Sequence, residues 1–564
     1  MRATWICDVN DVVPANPRGR SAVLWLAALG ALVVLLDVLI RPAGEFPLND
    51  DWSYARCVQS GVERWTFQFT GWTSVPLIAQ ALWGALFCLP FGFSFAALRL
   101  STAVAGLLGT GGMFFLARSA GHDRPTAFAA ALTLAVNPLF VNLSQTFMTD
   151  VPFAAACIWG LVGWTRALAD SRARWKWLGF IGSLAAALIR HPGVVLPLAF
   201  FLATRIGRRD TRPSRAVWPA VGVVLTLIVF CAYGAAHLGL RPFWIGQGQE
   251  LLAGLGSSAG WMRMLERAGE IAVYLGLFGL PFALYGLAGE PRRQALARLA
   301  WVVPTAALAA IGLAQMDIRL PLAGNVLFDA GLGPIRLFDV TTCGLPSGFS
   351  VSPAWWTLAT GLGVAGALLG AGRWCERGCR RAPSAETDRR TAVLFLACAA
   401  GWVLPMLVAG YMDRYLIALL PLWLLGIVPP AKGRDVRRSR VLPAAAGLAA
   451  LLLALFSVIA TRDYFSWNRA RWAALDDLVL RRQIAPERID GGFEFNAWQR
   501  YDPAHPADRQ PVPGRSWWWV ADDEYAIAMG PVPGYAERAR YPFARGGWVP
   551  PGSILVLQRE DPAP

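Results

Sequence analysis

The sequence predicts a polytopic α-helical membrane protein with a small α/β domain at its C-terminal end. Of the 564 residues, 55% are hydrophobic and only 16% are charged, whereas about one quarter of the residues in a typical soluble domain are charged. Apolar runs of membrane-spanning length recur through 21–460, and the chain then becomes rich in Asp, Gly, Pro and aromatic residues. This composition excludes a soluble globular enzyme, a coiled coil and a largely disordered chain.

About 13 apolar runs are long enough, or nearly so, to cross a hydrocarbon core about 30 Å thick. Two of them are short, and Pro192 predicts a turn between them. The segment 75–95 is also apolar; we predict that it is interfacial or re-entrant, because a further crossing there would place later basic loops opposite the basic N-terminal segment. The predicted spans are 21–41, 96–117, 125–143, 151–168, 177–190, 192–204, 216–237, 271–288, 299–315, 354–372, 391–409, 415–430 and 441–460.

The basic residues predict the orientation. The formal net charge is +15, and 24 of the 52 Lys and Arg residues lie in six short loops between apolar runs. Charge divided in this way does not form the single basic face that binds nucleic acid, and it is typical of cytoplasmic loops. We therefore expect a cytoplasmic N-terminus (1–20), a transmembrane region (21–460) with an outer loop at 42–95, and a soluble extracytoplasmic domain (461–564). The six basic loops are 118–124, 172–176, 205–215, 292–298, 373–390 and 432–440.

Two further features concern the ends of the transmembrane region. No small-residue cleavage site follows the first span before Arg41-Pro42, so this span is expected to remain as an anchor. The segment 461–564 holds 13 basic and 14 acidic residues and is long enough for a small domain. Its pattern predicts a helix at 467–482 and strands at 516–520 and 553–558.

Acidic residues are scarce in the transmembrane region, so the positions of Asp50, Asp51 and Asp150 are informative. The first two follow the first span on the predicted outer side, and Asp150 begins the fourth span at the same side. Paired carboxylates at a membrane surface suit proton acceptance or cation binding. The alternative is a structural role: Asp51 and Asp150 cap helices, or Asp50 and Asp51 lie in a solvated turn. Capping is compatible with catalysis.

Three arginines, Arg99, Arg190 and Arg414, lie in or beside apolar runs. An arginine at the membrane centre costs roughly 2.5–3.5 kcal/mol on insertion scales, so such residues usually have an anionic partner. The expected partner is one of the aspartates above, Asp413, or the phosphate of a lipid.

The order of these motifs resembles the GT-C glycosyltransferases, in particular glycosyltransferase family 39, which includes protein O-mannosyltransferases and bacterial aminoarabinose transferases. The resemblance rests on the ordered set rather than on any single motif, and it covers 1–205 best. The segments that carry it are Asp50-Asp51-Trp52-Ser53-Tyr54-Ala55, Pro76-Leu77, Ala97-Leu98-Arg99-Leu100, Thr149-Asp150-Val151-Pro152, Leu188-Ile189-Arg190-His191-Pro192-Gly193, Asp413-Arg414-Tyr415-Leu416 and Leu420-Pro421, followed by an outer C-terminal domain.

This resemblance implies an enzyme that transfers a monosaccharide, with inversion, from a polyprenyl phosphate donor to an acceptor hydroxyl at the outer face. Asp50 would be the general base, Asp51 would orient the acceptor or the base, and Asp150 would be the third catalytic carboxylate. The donor phosphate would be bound by Arg99, Arg190 and Arg414.

The sequence departs from the family pattern near the expected phosphate contacts. Thr73-Ser74-Val75 precedes Pro76-Leu77 where the family often has Lys or His, Gln145 stands where Arg is common, and Arg190 stands where Lys is frequent. The last change keeps the charge but alters the geometry.

Two other classes of protein remain open. A transporter or lipid flippase would also use intramembrane charges and broken helices, although two related halves are not visible in the sequence. A polysaccharide polymerase or ligase would share the lipid donor but lack the early Asp-Asp motif.

The expected partners are the lipid-linked sugar, an unidentified glycolipid, protein or polysaccharide acceptor, and the bilayer, without nucleic acid. No cofactor or metal site is indicated, and a divalent cation at Asp522-Asp523-Glu524 is less favoured than a solvated turn. The Arg- and Ala-rich composition points to a bacterial inner membrane.

Overall fold

A computed structural model describes residues 20–72, 75–170, 172–206, 217–239, 257–348, 350–379, 386–428, 441–502, 519–520, 522–546 and 551–560. Most of them are helical. The helices, numbered α1 to α18 in chain order, are Arg20–Ile40, Asp51–Arg64, Ile78–Cys88, Phe95–Ser119, Arg124–Ala135, Pro138–Ser144, Asp150–Ala169, Ala173–Ile189, Val195–Arg205, Val217–His237, Ser258–Leu287, Arg292–Gln315, Phe338–Thr341, Pro353–Cys379, Glu386–Ala409, Leu416–Ile427, Val441–Asp476 and Phe493–Arg500.

The helices agree with the predicted membrane architecture in kind. Within the described residues, nine helices are long and apolar enough to cross a membrane, or ten when α5 and α6 are taken as one bent span. The other three predicted spans correspond to shorter helices: α8 with 17 residues, α9 with 11 and α16 with 12. The total of about 13 crossings therefore stays a prediction.

The span predicted at 125–143 is divided into two helices. The chain there forms α5 and α6, which meet at an angle of 64°. Asn137 accepts a hydrogen bond from the backbone N–H of Phe140, 3.0 Å away, and Pro138 occupies the first turn of α6. A side-chain cap followed by proline starts a new helix at this point, so the bend comes from the Asn-Pro pair.

Two other segments concern local predictions. Helix α3, in the segment predicted to be interfacial or re-entrant, has 11 residues and is about 16 Å long at 1.5 Å per residue, less than the thickness of the hydrocarbon core; its placement at the membrane stays a prediction. The break expected at Pro192 is a short 3-10 turn, His191–Val194, between α8 and α9. This turn places Arg190 at the end of α8.

Helices α7 and α8 pack closely through glycine. A methyl group on Gly163 would lie 2.1 Å from the backbone nitrogen of Gly179, and one on Gly182 would lie 2.5 Å from the backbone nitrogen of Gly160. Small residues let helix backbones approach in this way. Because the two helices form a hairpin, the start of α7 and the end of α8 lie at the same end of the bundle, which brings Asp150 beside Arg190.

The C-terminal region is built on the long helix α17. This helix runs without interruption through residue 460, where the sequence predicted a domain boundary, and a π-helical turn, Asp477–Arg481, follows it. A four-stranded sheet packs beyond it in the order β3-β4-β6-β5, with β3 and β4 parallel and the other neighbours antiparallel. The strands β1 to β6 are Leu327–Phe328, Gly331–Leu332, Ile489–Asp490, Tyr525–Ala528, Tyr535–Phe543 and Gly552–Arg559.

The expected secondary structure of this region can be checked in part. Strand β6 confirms the strand predicted at 553–558, and α17 with its π-helical turn confirms the helix at 467–482. In the strand predicted at 516–520, residues 516–518 lie outside the described residues, and Trp519 and Val520 are not in a strand. The region is therefore an α/β arrangement that is continuous with the helical bundle through α17.

Candidate functional site

Four of the predicted site residues meet at one end of the helical bundle. Asp50 immediately precedes α2, Asp150 is the first residue of α7, Arg190 follows the last residue of α8, and Arg414 lies in a 3-10 turn just before α16. In the predicted topology all four positions belong to the outer side. Helix ends that are far apart in the sequence thus supply one cluster.

The four side chains form a row of alternating charge. Both terminal nitrogens of Arg414 lie 3.4 Å from Oδ2 of Asp50, and its Nε lies 4.0 Å from Oδ2 of Asp150. The other oxygen of Asp150 accepts a hydrogen bond from Nη1 of Arg190. Two carboxylates and two guanidinium groups balance in charge, as a buried ionic group must if it is not to destabilise the fold.

The two ends of the row are the more accessible groups. The side chain of Asp150 is 1% exposed and that of Arg414 is 7% exposed, compared with 13% for Arg190 and 16% for Asp50. Among the described residues, Nη1 is the only side-chain nitrogen of Arg190 for which a hydrogen bond is found. A guanidinium group has five N–H donors, so Arg190 keeps donors for an anionic ligand.

Aromatic side chains hold the row in place. The indole N–H of Trp72 donates to Oδ1 of Asp50 over 3.2 Å. The guanidinium of Arg190 stacks over the ring of Tyr415, 4.5 Å from its centroid, a cation–π contact that also shields the charge. No sequence pattern distinguishes Trp72 from the other tryptophans, whereas Tyr415 stands beside Arg414 in a motif, which was the available signal for it.

The capping alternative does not describe Asp51 or Asp150. Asp51 is the first residue of α2, whose N-cap position is occupied by Asp50, and at α7 the N-cap residue is Thr149. The carboxylate of Asp150 pairs with arginine instead. A solvated turn does not describe the Asp50-Asp51 pair, because Asp51 has no exposed surface.

Asp51 lies apart from the charged row. It is fully buried, and its two carboxylate oxygens accept hydrogen bonds from the backbone N–H groups of Leu48 (2.6 Å) and Phe147 (3.1 Å). It therefore fastens the loop that carries Asp50 to the turn before α7. Asp51 is a positioning residue in this geometry, because it has no surface that an acceptor could reach.

Burial raises the pKa of Asp51 to about 7, outweighing the opposing effects of Arg99 and of the two N–H donors. Between the ordinary carboxyl pKa of about 4 and pH 7, the folded chain then holds a proton that the unfolded chain has released. The free energy of unfolding is expected to fall as the pH rises through this window and to lose this dependence above about pH 7. Thermal unfolding midpoints of wild type and Asp51→Asn, measured between about pH 4 and pH 7, test this dependence. The midpoint of the variant should change less with pH than that of wild type, and equal changes would contradict the raised pKa of Asp51.

Arg99 does not join the row, and the prediction that it binds the donor phosphate needs correction. Its guanidinium is buried and donates to the backbone carbonyls of Pro42, Gly44 and Phe46. The same group lies over the ring of Phe465, 5.1 Å from its centroid. Because the chain after α1 turns back and directs its carbonyls at α4, Arg99 is needed to satisfy them and acts as a brace for the outer loop.

Asp413 also serves the backbone. Its carboxylate accepts hydrogen bonds from the N–H groups of Val326, Leu327 and Arg414. It joins the loop before β1 to the 3-10 turn that carries Arg414. Of the aspartates considered as partners for Arg414, the structure thus brings Asp50 and Asp150 to its side chain and leaves Asp413 with the backbone.

The C-terminal region reaches the residue next to Asp50 through a buried carboxylate. Glu494, at the start of α18, accepts a hydrogen bond from the backbone N–H of Asn49 (3.1 Å) and pairs with Arg471 of α17 (2.7 Å). Asn49 has a positive φ of 57°, a conformation that asparagine adopts more readily than most residues. Nothing in the sequence reveals this contact, because the two residues are 445 positions apart.

An aromatic cluster lies beside the same loop. The rings of Trp52, Trp72, Phe493, Tyr501 and Trp519 pack against one another, with centroid distances from 5.0 to 6.5 Å. Trp52 has no exposed surface. Trp519 takes part in this packing through its contacts with Trp52 and Trp72.

The acidic residues at 522–524 have arginine partners. Within the described part of the chain, no group of three or more His, Cys, Asp or Glu residues could hold a metal ion. Asp522 and Asp523 pair with Arg559, and Glu524 pairs with Arg488. The acidic run 522–524 therefore takes part in ion pairs of the sheet.

The fold and the site define a helical membrane protein with a carboxylate–arginine site at one end of its bundle. Residues 74–233 match the family model described as dolichyl-phosphate-mannose-protein mannosyltransferase. Over this segment the match supports the resemblance to the GT-C membrane glycosyltransferases of family 39 type. Asp150 and Arg190 lie inside the matched segment, and Asp50 and Arg414 lie outside it.

Solved structures with some likeness to the chain include two of ArnT from Cupriavidus metallidurans. The apo form shows 16% identity over 95% of this chain and 98% of that chain, with a TM-score of 0.40; the form bound to undecaprenyl phosphate shows 15% over 94% and 98%, with 0.41. The apo oligosaccharyltransferase of Archaeoglobus fulgidus shows 13% over 87% of this chain and 61% of that chain, with 0.42. TM-scores of this size do not establish a shared fold. No match is found among curated proteins.

Proposed function

We propose that the protein transfers a monosaccharide from a polyprenyl phosphate donor to an acceptor hydroxyl at the outer face of the membrane. The observation that carries this proposal is the accessible carboxylate of Asp50 in one row with Arg414, Asp150 and Arg190 at a single end of the bundle. The match to a family described by a dolichyl phosphate sugar, which is a polyprenyl phosphate sugar, supports the donor class.

Asp50 is the proton acceptor in this reaction. The acceptor hydroxyl oxygen attacks the anomeric carbon of the sugar, the bond from that carbon to the phosphate oxygen breaks, and the hydroxyl proton passes to Oδ of Asp50. Attack from the side opposite the leaving group inverts the configuration of the anomeric carbon. Trp72 holds the carboxylate from one side and Arg414 from the other, so the base meets the acceptor in a fixed orientation.

Arg190 is the group that receives the leaving phosphate. Its remaining N–H donors and its partial exposure suit a bidentate contact with phosphate oxygens. Negative charge develops on the leaving oxygen as the bond breaks, and preorganised donors in a poorly hydrated site stabilise it more than water would. Asp150 sets the direction of Arg190 from its buried side.

The location of the row fits a lipid-linked substrate. In the predicted topology it lies at the outer membrane surface, where the phosphate of a polyprenyl chain would sit while its tail stays between apolar helices. We expect the C-terminal region to lie on the same extracytoplasmic side of a bacterial inner membrane, because α17 continues into it directly beyond the last predicted span.

The deciding experiment follows both halves of the donor. Wild-type protein in liposomes receives polyprenyl phosphate sugars labelled with tritium in the sugar and radioactive phosphorus in the phosphate, with membrane extract as the source of acceptor. A transferase separates the two labels, releasing polyprenyl phosphate, and protein-free liposomes do not. If both labels cross the bilayer together on an intact lipid, the protein is a transporter or flippase and the proposed transfer is wrong.

A further inference from the structure

A second charged site lies away from the row, between the end of α1, the middle of α17 and the chain after β5. It is a cavity of about 340 Å³, within the size range of small-molecule sites. We call it the basic pocket. Its lining residues are Arg41, Arg462, Asp463, Ser466, Arg469, Ala544, Arg545 and Gly546.

Hydrogen bonds between the three walls build the basic pocket. Asp463 accepts from the backbone N–H of Gly546 over 2.6 Å, and Ser466 donates to the carbonyl of Ala544 over 2.7 Å. Arg469 donates to the carbonyl of Arg41 over 3.1 Å. These bonds hold the three chain segments around the space, and Arg469 is the arginine whose side chain takes part in them.

The pocket carries an excess of positive charge. Its one carboxylate, Asp463, lies 3.8 Å from Nε of Arg545. The other three arginines of the pocket are Arg41, Arg462 and Arg469. Within the part of the chain that the structure describes, no carboxylate lies within ion-pair distance of these three side chains. Burial, followed by the charges of Arg462 and Arg41, lowers the pKa of Arg469. Like charges around one cavity repel one another unless an anion lies between them.

The apolar side chains that precede the pocket on α1 and α17 indicate its position relative to the membrane. On α1 the exposed residues Val38 and Leu39 come just before Arg41, and on α17 the exposed Leu455 lies seven residues before Arg462, or about 10 Å along the helix axis. Exposed apolar side chains on spanning helices face lipid tails, and the basic residues that follow lie at the level of the headgroups.

We propose that the basic pocket binds the phosphate group of an anionic membrane lipid from the outer leaflet. A phosphate oxygen placed among Arg41, Arg462 and Arg469 meets the three guanidinium groups that lack a carboxylate partner, and the acyl chains lie along the apolar surfaces of α1 and α17. The segment 41–50 joins this pocket to Asp50. Lipid binding here is independent of the proposed sugar transfer.

Equilibrium binding of radiolabelled phosphatidylglycerol to the full-length protein in non-ionic detergent tests this site. Arg41→Gln combined with Arg462→Gln removes two exposed charges that have no ion-pair partner, and because charge-assisted hydrogen bonds to phosphate are the stronger ones we expect binding to weaken at least about tenfold. The matched control is Arg538→Gln with Arg540→Gln, which removes two exposed charges from β5 and should leave affinity unchanged.

Three results would overturn the proposal. The first is equal affinity of the test variant and wild type, and the second is equal weakening by the control variant. The third is saturable binding of inorganic phosphate at the same site without binding of the lipid, which would assign the pocket to a soluble anion. Arg462→Glu alone, at an exposed helical position, provides a second variant should the double substitution disturb folding; it should weaken binding as well.

Discussion

Asp50→Asn is expected to lower the release of polyprenyl phosphate at least about hundredfold, the lower range for loss of a general acid or base. Asparagine has nearly the same shape and keeps an oxygen that can accept from Trp72, but it cannot take the proton of the acceptor hydroxyl. Turnover should therefore fall while the protein remains folded. Initial rates with the doubly labelled donor measure the effect.

Asp317→Asn is the matched control for this change. Asp317 lies in a predicted outer loop with its side chain 83% exposed, and its positive φ of 59° is one that asparagine tolerates. It should release polyprenyl phosphate at the wild-type rate. Turnover by Asp50→Asn within about threefold of wild type would exclude Asp50 as the base, since that is far below the contribution of such a group.

Arg190→Gln is expected to lower kcat/KM by about 10²–10³, the range for removing one donor that stabilises developing negative charge. Glutamine keeps one N–H₂ group but loses the charge and the paired geometry that matches phosphate. Arg190→Lys keeps the charge without that geometry, so its kcat/KM should lie between those of wild type and Arg190→Gln. Kinetics at varied donor concentration measure both variants.

Two further variants distinguish a loss of phosphate binding by Arg190 from a loss of folding stability. Removing Arg190 leaves Asp150 buried without this partner, which is destabilising, so Arg190→Gln with Asp150→Asn is needed to restore the charge balance. Arg319→Gln, in the outer loop beside Asp317, is the charge control. If the double variant regains thermal stability and also regains turnover, Arg190 acts only through folding and the phosphate assignment is wrong.

The helical membrane class and the four residues of the row could be predicted from the sequence. Helix lengths follow from apolar runs, and the rarity of charge in a membrane region made Asp50, Asp150, Arg190 and Arg414 stand out. Their common side followed from counting crossings, since basic loops mark the opposite side. The structure adds that these four meet through side-chain contacts, which no spacing in the sequence could show.

The remaining site residues could not be assigned from the sequence because their roles depend on backbone geometry. Asp51 and Arg99 carry the same charges as Asp50 and Arg190, yet they satisfy N–H and carbonyl groups that become buried when the outer loop folds back. Similarly, Glu494 reaches Asn49 across 445 positions of the chain. Burial of backbone polar groups requires such partners, but which side chain supplies them is decided by tertiary contacts.

The most direct test of the site is the equilibrium affinity for polyprenyl phosphate, the expected leaving group, of wild type, Arg190→Gln and Asp50→Asn. Charge-assisted hydrogen bonds contribute roughly 1.5–3 kcal/mol, so Arg190→Gln should bind at least about tenfold more weakly. Asp50→Asn should bind at least as tightly as wild type, because it removes a negative charge from beside Arg414. Weaker binding by Asp50→Asn together with unchanged binding by Arg190→Gln would contradict the division of roles between the base and the phosphate site.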